Sequence, residues 1–243
     1  MIVYWSAFTD VFNESLDTFS TSSCCPEPEN IFSRICDMNF IGEQTKIKYC
    51  PAVKDSTKNA YALKFPFEYE FTIDRESEKV GSEMYDQKFF DNYLHLRSIA
   101  DGMITAKIRY IFFCEESLEI MTTSPYFVNN DFTKSARLIP GRFNIGKWFR
   151  PLECAMLIDP AAERVRLAKD DDYCYVNFLT DENITLKKFG LTPKLAKMMS
   201  ENVLLKDFIG IKYSRMPYWY KYFQESKQRS TILKEIKNNL MEG

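Results

Sequence analysis

Residues 63–73 constrain the fold of this chain more than any other stretch. Leu63, Phe65, Phe67, Tyr69, Phe71 and Ile73 stand two apart, interleaved with Lys64, Glu68, Glu70 and Thr72 and followed by Asp74. Successive side chains of a β-strand point to opposite faces, so this pattern lays an aromatic wall against a core and turns charges to water. It predicts one strong strand over 61–73. Such a wall needs a second apolar layer to cover it, which restricts the fold to sheets packed on sheets or on helices.

The signature recurs along the first three-quarters of the chain. Ile104, Ala106, Ile108, Tyr110 and Phe112 alternate with Thr105, Lys107 and Arg109, and Leu118 with Ile120 reads as the hairpin partner across 114–117. Pro151 to Ile158, Val165 with Leu167, Tyr173 to Leu179, and Ile184 with Leu186 follow as strands. Polar turns such as Asp159-Pro160 and Lys169-Asp170-Asp171-Asp172 punctuate them, and Pro140 to Phe143 reads as a turn leading into Trp148. Ile2 to Trp5 and the pair Ile47 and Tyr49, ended by Cys50-Pro51, add short strands, with a polar loop over 18–30 and a charged surface connection over 74–92. An aromatic content of 15% favours a β-rich core. The expected fold is mainly β: an antiparallel β-sandwich or barrel over 1–190, with a small helical C-terminal region over 191–243 that packs on it or on a partner, α+β overall.

The change of period supports that boundary. After Thr192-Pro193, the residues Leu195, Met198, Met199 and Val203 recur at helical spacing. Tyr222, Phe223, Ile232, Leu233, Ile236 and Leu240 continue a helical pattern, surrounded by Lys221, Lys227, Arg229, Lys234 and Lys237. An amphipathic helix of this kind docks on its own body or in a partner's groove, so Tyr218, Trp219, Tyr222, Phe223, Ile232 and Ile236 are the candidate partner-binding residues.

Composition narrows the chemistry. A single histidine, His95, excludes any His-based triad or multi-histidine metal site within one subunit, and in its apolar stretch it reads as a satisfied structural residue. The net charge of −2 argues against a dedicated nucleic-acid binder. The N-terminus lacks the positive region of a secretion signal, and no stretch approaches 18 apolar residues, so neither secretion nor a membrane span is expected. The 7 cysteines are odd in number and contain no C-x-x-C pair, with Cys24 and Cys25 adjacent, so they read as reduced and largely buried thiols. Cys154, near Arg150, reads as a core thiol rather than a nucleophile. No catalytic residue, metal site or cofactor is implied.

Two clusters remain. Arg142, Lys147, Trp148 and Arg150 form the densest grouping of cations with an aromatic ring, able to hold an anion or stack a planar group, against the plainer reading of a turn with arginines around a core tryptophan. Asp170, Asp171 and Asp172, with Asp181 and Glu182 downstream, could gather a hard cation, against the plainer reading of solvated turn carboxylates.

Three segments, CPAVKDSTKNAYALKFPFEYEF (50–71), IPGRFNIGKWFRPLECAML (139–157) and DDYCYVNFLTDENITLKKF (171–189), resemble a family of uncharacterised proteins of tailed bacteriophages, particularly T4-like phages of marine bacteria. The resemblance implies a phage origin and a place in the host cytoplasm or the virion. It carries no catalytic residue onto this chain. The function expected is that of a non-enzymatic phage protein acting through protein–protein contacts or self-association, as a virion component or assembly factor. The alternative is a β-barrel enzyme or small anionic-ligand binder with its site around Arg142, Trp148 and Arg150. Single-stranded nucleic-acid binding by the basic-aromatic tail ranks below both.

Overall fold

A twelve-residue strand, β7 (Met103–Cys114), organises the molecule. The computed structural model describes residues 1–7, 25–37, 47–65, 67–84, 94–208 and 216–241. Ile104, Ala106, Tyr110, Phe112 and Cys114 of β7 face one core, while Ile111 and Phe113 are buried on its opposite face in a second. A strand covered on both sides has no reason to alternate. The switch from alternation up to residue 110 to the continuous Ile111-Phe112-Phe113 run marks where a second layer begins to cover the sheet.

On one side of β7 lie β1 (Ile2–Ala7), paired antiparallel with Trp5 opposite Phe112, and β6 (Leu94–Ser98). On its other side β11 (Pro151–Ile158) and then β9 (Ala136–Leu138) extend the sheet. β14 (Thr185–Lys188) joins β1 in parallel. The facing sheet runs β10 (Gly141–Asn144), β8 (Glu119–Thr123), β13 (Asp172–Phe178), β3 (Ala60–Lys64), β2 (Glu29–Asn30). A third sheet holds β12 (Arg164–Leu167), β4 (Tyr69–Asp74) and β5 (Lys79–Gly81). The main core lies between these layers, where Cys154 of β11 and Cys174 of β13 approach to 3.9 Å between sulfurs. Burial pushes the Cys174 thiol well above its ordinary value.

Helices cover both outer faces. Ile31 and Ile35 of α1 (Ile31–Asp37) pack on Ala60, Ala62 and Tyr175; α2 (Pro51–Thr57) follows. The short α3 (Asp131–Ser135) is capped by Asn130, whose side chain accepts from the Thr133 amide at 2.9 Å. At the C-terminus α4 (Pro193–Phe208), α5 (Met216–Glu225) and α6 (Gln228–Asn238) build the second core with Tyr4, Ile111, Phe113 and Phe149. The arrangement is a mainly β, sandwich-like α+β fold with no closed barrel among the described residues.

Several expectations change in detail. The stretch 61–73 is two strands rather than one: β3 and β4 belong to different sheets. The switch falls at the sequence Phe65-Pro66-Phe67, where proline has no amide to offer a ladder. The aromatic wall survives because Phe65 meets Phe67 and Tyr173 edge to face and Tyr69 at a tilt across the corner. Leu118 and Ile120 do not form a hairpin with β7; β8 crosses to the facing sheet and pairs with β10 and β13. Gly141 to Asn144 is a strand rather than a turn. Ile47 and Tyr49 are exposed in a short helical turn, and Pro51 opens α2 instead of closing a strand, since a first-turn proline forfeits only an amide that has no helical partner. The charged connection after Asp74 holds the hairpin strand β5, its turn pinned by Asp74, which accepts from the Glu76 and Ser77 amides at 3.0 Å. The tail pattern breaks at Lys227, which takes a left-handed conformation (φ 55°) between α5 and α6.

Candidate functional site

The tight turn after β10 brings the cation–aromatic cluster and α5 together. The Asn144 side chain donates to Ser117 Oγ at 2.8 Å and accepts from the Gly146 amide at 3.1 Å. Gly146 is the only residue type that fits there, since a Cβ would stand 1.9 Å from the Glu116 carbonyl oxygen. The turn presents Trp148 to α5. Its ring stacks on Trp219 at 5.9 Å, nearly parallel, and meets the edge of Tyr220 at 6.3 Å. The Tyr220 hydroxyl accepts from the Asn144 amide at 2.7 Å, and burial raises its pKa. Arg229 of α6 donates to the Gly146 carbonyl at 3.1 Å.

The four candidate ligand-binding residues are not drawn to one point. Trp148 and Arg150 line a shallow open cleft of ≈ 20 Å³, with Phe112, Phe143, Ile145 and Leu152. The Arg150 guanidinium lies 4.5 Å from the Trp148 ring centroid and its Nη2 is 3.2 Å from Glu153. Arg142 is outside that lining. It alternates with Phe143 on β10, projects to solvent and pairs with Glu119. Lys147 is also absent from the lining. The cleft therefore offers one arginine, already neutralised, against an aromatic floor.

The acidic run divides likewise. Asp170 takes a left-handed turn conformation, and the Asp171 carboxylate accepts from the Ala168 amide at 3.1 Å. Asp172 is not solvated: it is 4% exposed, and Arg34 donates to its two oxygens at 2.8 and 2.5 Å. The Tyr175 hydroxyl completes the network, donating to Asp172 at 3.0 Å and accepting from Arg34 at 2.9 Å. Burial and the Asp172 charge push the Tyr175 phenol up, while Asp172 holds Arg34 firmly protonated. The bidentate arginine locks α1 to β13. Among the described residues no group of three or more His, Cys, Asp and Glu is placed to hold a metal ion.

His95, expected as a satisfied structural residue, is exposed on β6. Cys24 lies outside the described residues. Cys25, Cys114, Cys154 and Cys174 are buried, whereas Cys36 and Cys50 are exposed free thiols. Burial carries the Cys114 thiol up to about 12. No helix among the described residues is long and apolar enough to cross a membrane.

The tail residues separate by helix face. Trp219, Phe223, Ile232 and Ile236 are buried within this chain, the last three against Phe113, Phe149 and Phe189 in the second core. They cannot also face a partner. Tyr218 and Tyr222 can, at 65% and 43% exposed. Electrostatics reinforce the docking of α6: Glu115, at the end of β7, accepts from Tyr4 at 2.9 Å and pairs with Lys237 at 2.7 Å. Those partners hold the Glu115 carboxyl below its ordinary range, while burial and Glu115 push the Tyr4 phenol up to about 12. The aromatic residues of α5 stand out in the sequence; which of them face outward does not. The spacing of Trp219 and Phe223, one helical turn apart and about 100° round the helix from Tyr218 and Tyr222, was the available signal. Comparison of the chain with protein-family models, with curated proteins and with solved structures returns no match.

Proposed function

We propose that this protein acts through protein–protein contacts rather than catalysis, and that the outward face of α5 is the contact surface. The observation that carries the reading is the exposure of Tyr218 and Tyr222 on a helix whose other side is anchored by Trp219 and Phe223. Tyrosine supplies large contact area at low entropic cost and is enriched at interfaces. A helix already seated on its own core loses little further freedom on binding. The resemblance to tailed-phage proteins is what favours a virion component or assembly factor, working in the host cytoplasm or the particle.

The test is Tyr218→Ala/Tyr222→Ala in the full chain, with association followed by light scattering and by pull-down from cells expressing the protein. Loss of association with an unchanged melting temperature supports the reading; unchanged association refutes it. Deleting 217–243 is not equivalent, because it strips Phe223, Ile232 and Ile236 from the core. The competing reading, a small anionic ligand, draws on the Trp148–Arg150 cleft. It predicts that an aryl carboxylate or phosphate raises the melting temperature and that Arg150→Met removes the effect.

A further inference from the structure

We infer that Cys154 and Cys174 are an intersheet cross-linking pair, which closes to a disulfide when the protein folds in the presence of a small disulfide oxidant. Leu152, Cys154, Met156 and Ile158 alternate into the main core from β11, and Cys174, Val176 and Phe178 do so from β13 in the facing sheet. The two sulfurs meet across that core at 3.9 Å, and neither residue is more than 2% exposed. About 2 Å of further approach brings them to the ~2.05 Å of a disulfide. A single buried thiol packs as a small apolar group. Here two thiols from facing sheets, twenty residues apart in the chain, stand sulfur to sulfur. From Cys154 the chain runs through β12 of the third sheet before it reaches Cys174, so residues 154–174 visit each of the three sheets. A bond between the ends of that loop limits the disorder of the unfolded chain while the folded layers stay as they are.

The bond forms by two exchanges. The thiolate of one cysteine attacks a sulfur of the small disulfide, forms a mixed disulfide and expels one small thiolate. The thiolate of the other cysteine then attacks the protein sulfur of that mixed disulfide, which forms the Sγ–Sγ bond and expels the second. The two cysteine protons end on the two small thiols, and the two electrons given up by the cysteine sulfurs reduce the sulfurs of the reagent. The first exchange needs an open core. Burial shuts the reagent out of the folded protein and pushes the Cys174 thiol well above its ordinary value, leaving little thiolate to attack. The second exchange needs only the native approach of β11 to β13. The pair therefore records the surroundings in which the chain folded.

Refolding the full chain from urea in a mixture of oxidised and reduced glutathione tests this, both as wild type and as Cys36→Ser/Cys50→Ser, which removes two exposed thiols. After alkylation of the remaining thiols, peptide mass spectrometry should find Cys154 joined to Cys174 in both. Adding Cys154→Ala should abolish the linkage. The oxidised protein should melt about 6–12 °C above the same protein reduced, with an unfolding constant about a hundredfold smaller. Folded protein given the same mixture without urea should form the bond far more slowly than refolding protein. Near-UV circular dichroism identical to the reduced wild type shows that the refolded material is native. Free thiols at both positions in native refolded protein, a bond from either to a different cysteine, or an oxidised form no more stable than the reduced one overturns the inference. Equal rates in folded and refolding protein overturn its coupling to folding.

Discussion

Phe223 and Tyr222 are adjacent in sequence and opposite in fate, so truncating each to alanine measures how α5 is seated. Phe223 is 1% exposed, meets Phe113 edge to face at 6.2 Å and packs with Ile232 and Ile236. Removing a fully buried phenylalanine costs about 3–5 kcal/mol, the lost transfer energy plus the cavity left behind. For a chain of this size each kcal/mol lowers Tm by about 2–4 °C, so Phe223→Ala should fall by roughly 6–20 °C. Tyr222→Ala, at the solvent face, should stay within about 0.5 kcal/mol of wild type. Calorimetry gives the shifts, and urea midpoints at unchanged m-value check that both variants unfold as wild type does. A loss below about 1 kcal/mol for Phe223→Ala, or equal losses for the two variants, would refute the seating of α5 on β7 and with it the division of the helix into an anchored and a presenting face.

Three further outcomes follow from the same contacts. Arg34→Met strands the buried Asp172 carboxylate and should cost about 3–5 kcal/mol, whereas Arg34→Met/Asp172→Leu should recover most of that loss in urea titrations. Glu115 is held below its ordinary range by Lys237 and Tyr4, and Glu235 by Lys194, so each binds fewer protons folded than unfolded. Their contribution is therefore present above the ordinary glutamate value of about 4.3 and is lost as pH falls through the lowered folded values; a pH series of melting curves should show it, with a shallower acid limb in Lys237→Met. Gly146→Ala sets a methyl group against the Glu116 carbonyl and should cost at least about 1–3 kcal/mol, with altered tryptophan fluorescence as Trp148 shifts on Trp219.

How far the candidate site was legible depends on which interactions are local. The cation–aromatic cluster was visible as composition, and so was the aromatic character of α5. That Trp148 stacks on Trp219 was not, because nothing in either segment encodes a contact between stretches so far apart. Asp172 shows the same limit. Beside Asp170 and Asp171 it reads as one more turn carboxylate, and only Arg34, arriving from α1, makes burial of its charge tolerable.

Local pattern dictates which way side chains point. Alternation placed Tyr69, Phe71 and Ile73 of β4, Val165 and Leu167 of β12, and Ile104 and Ala106 of β7 on buried faces, since the pleat of a single strand dictates its two sides. Alternation says nothing of neighbours. Whether β8 pairs with β7 or crosses to the facing sheet, and whether the aromatic wall is one strand or two, was decided by tertiary packing, because every such choice buries the same side chains and differs only in which distant backbone answers the ladder. The tail was decided the same way. Its helical period was local, but which residues became core depended on Ile111 and Phe113 turning a second apolar face to it, leaving Tyr218 and Tyr222 in water.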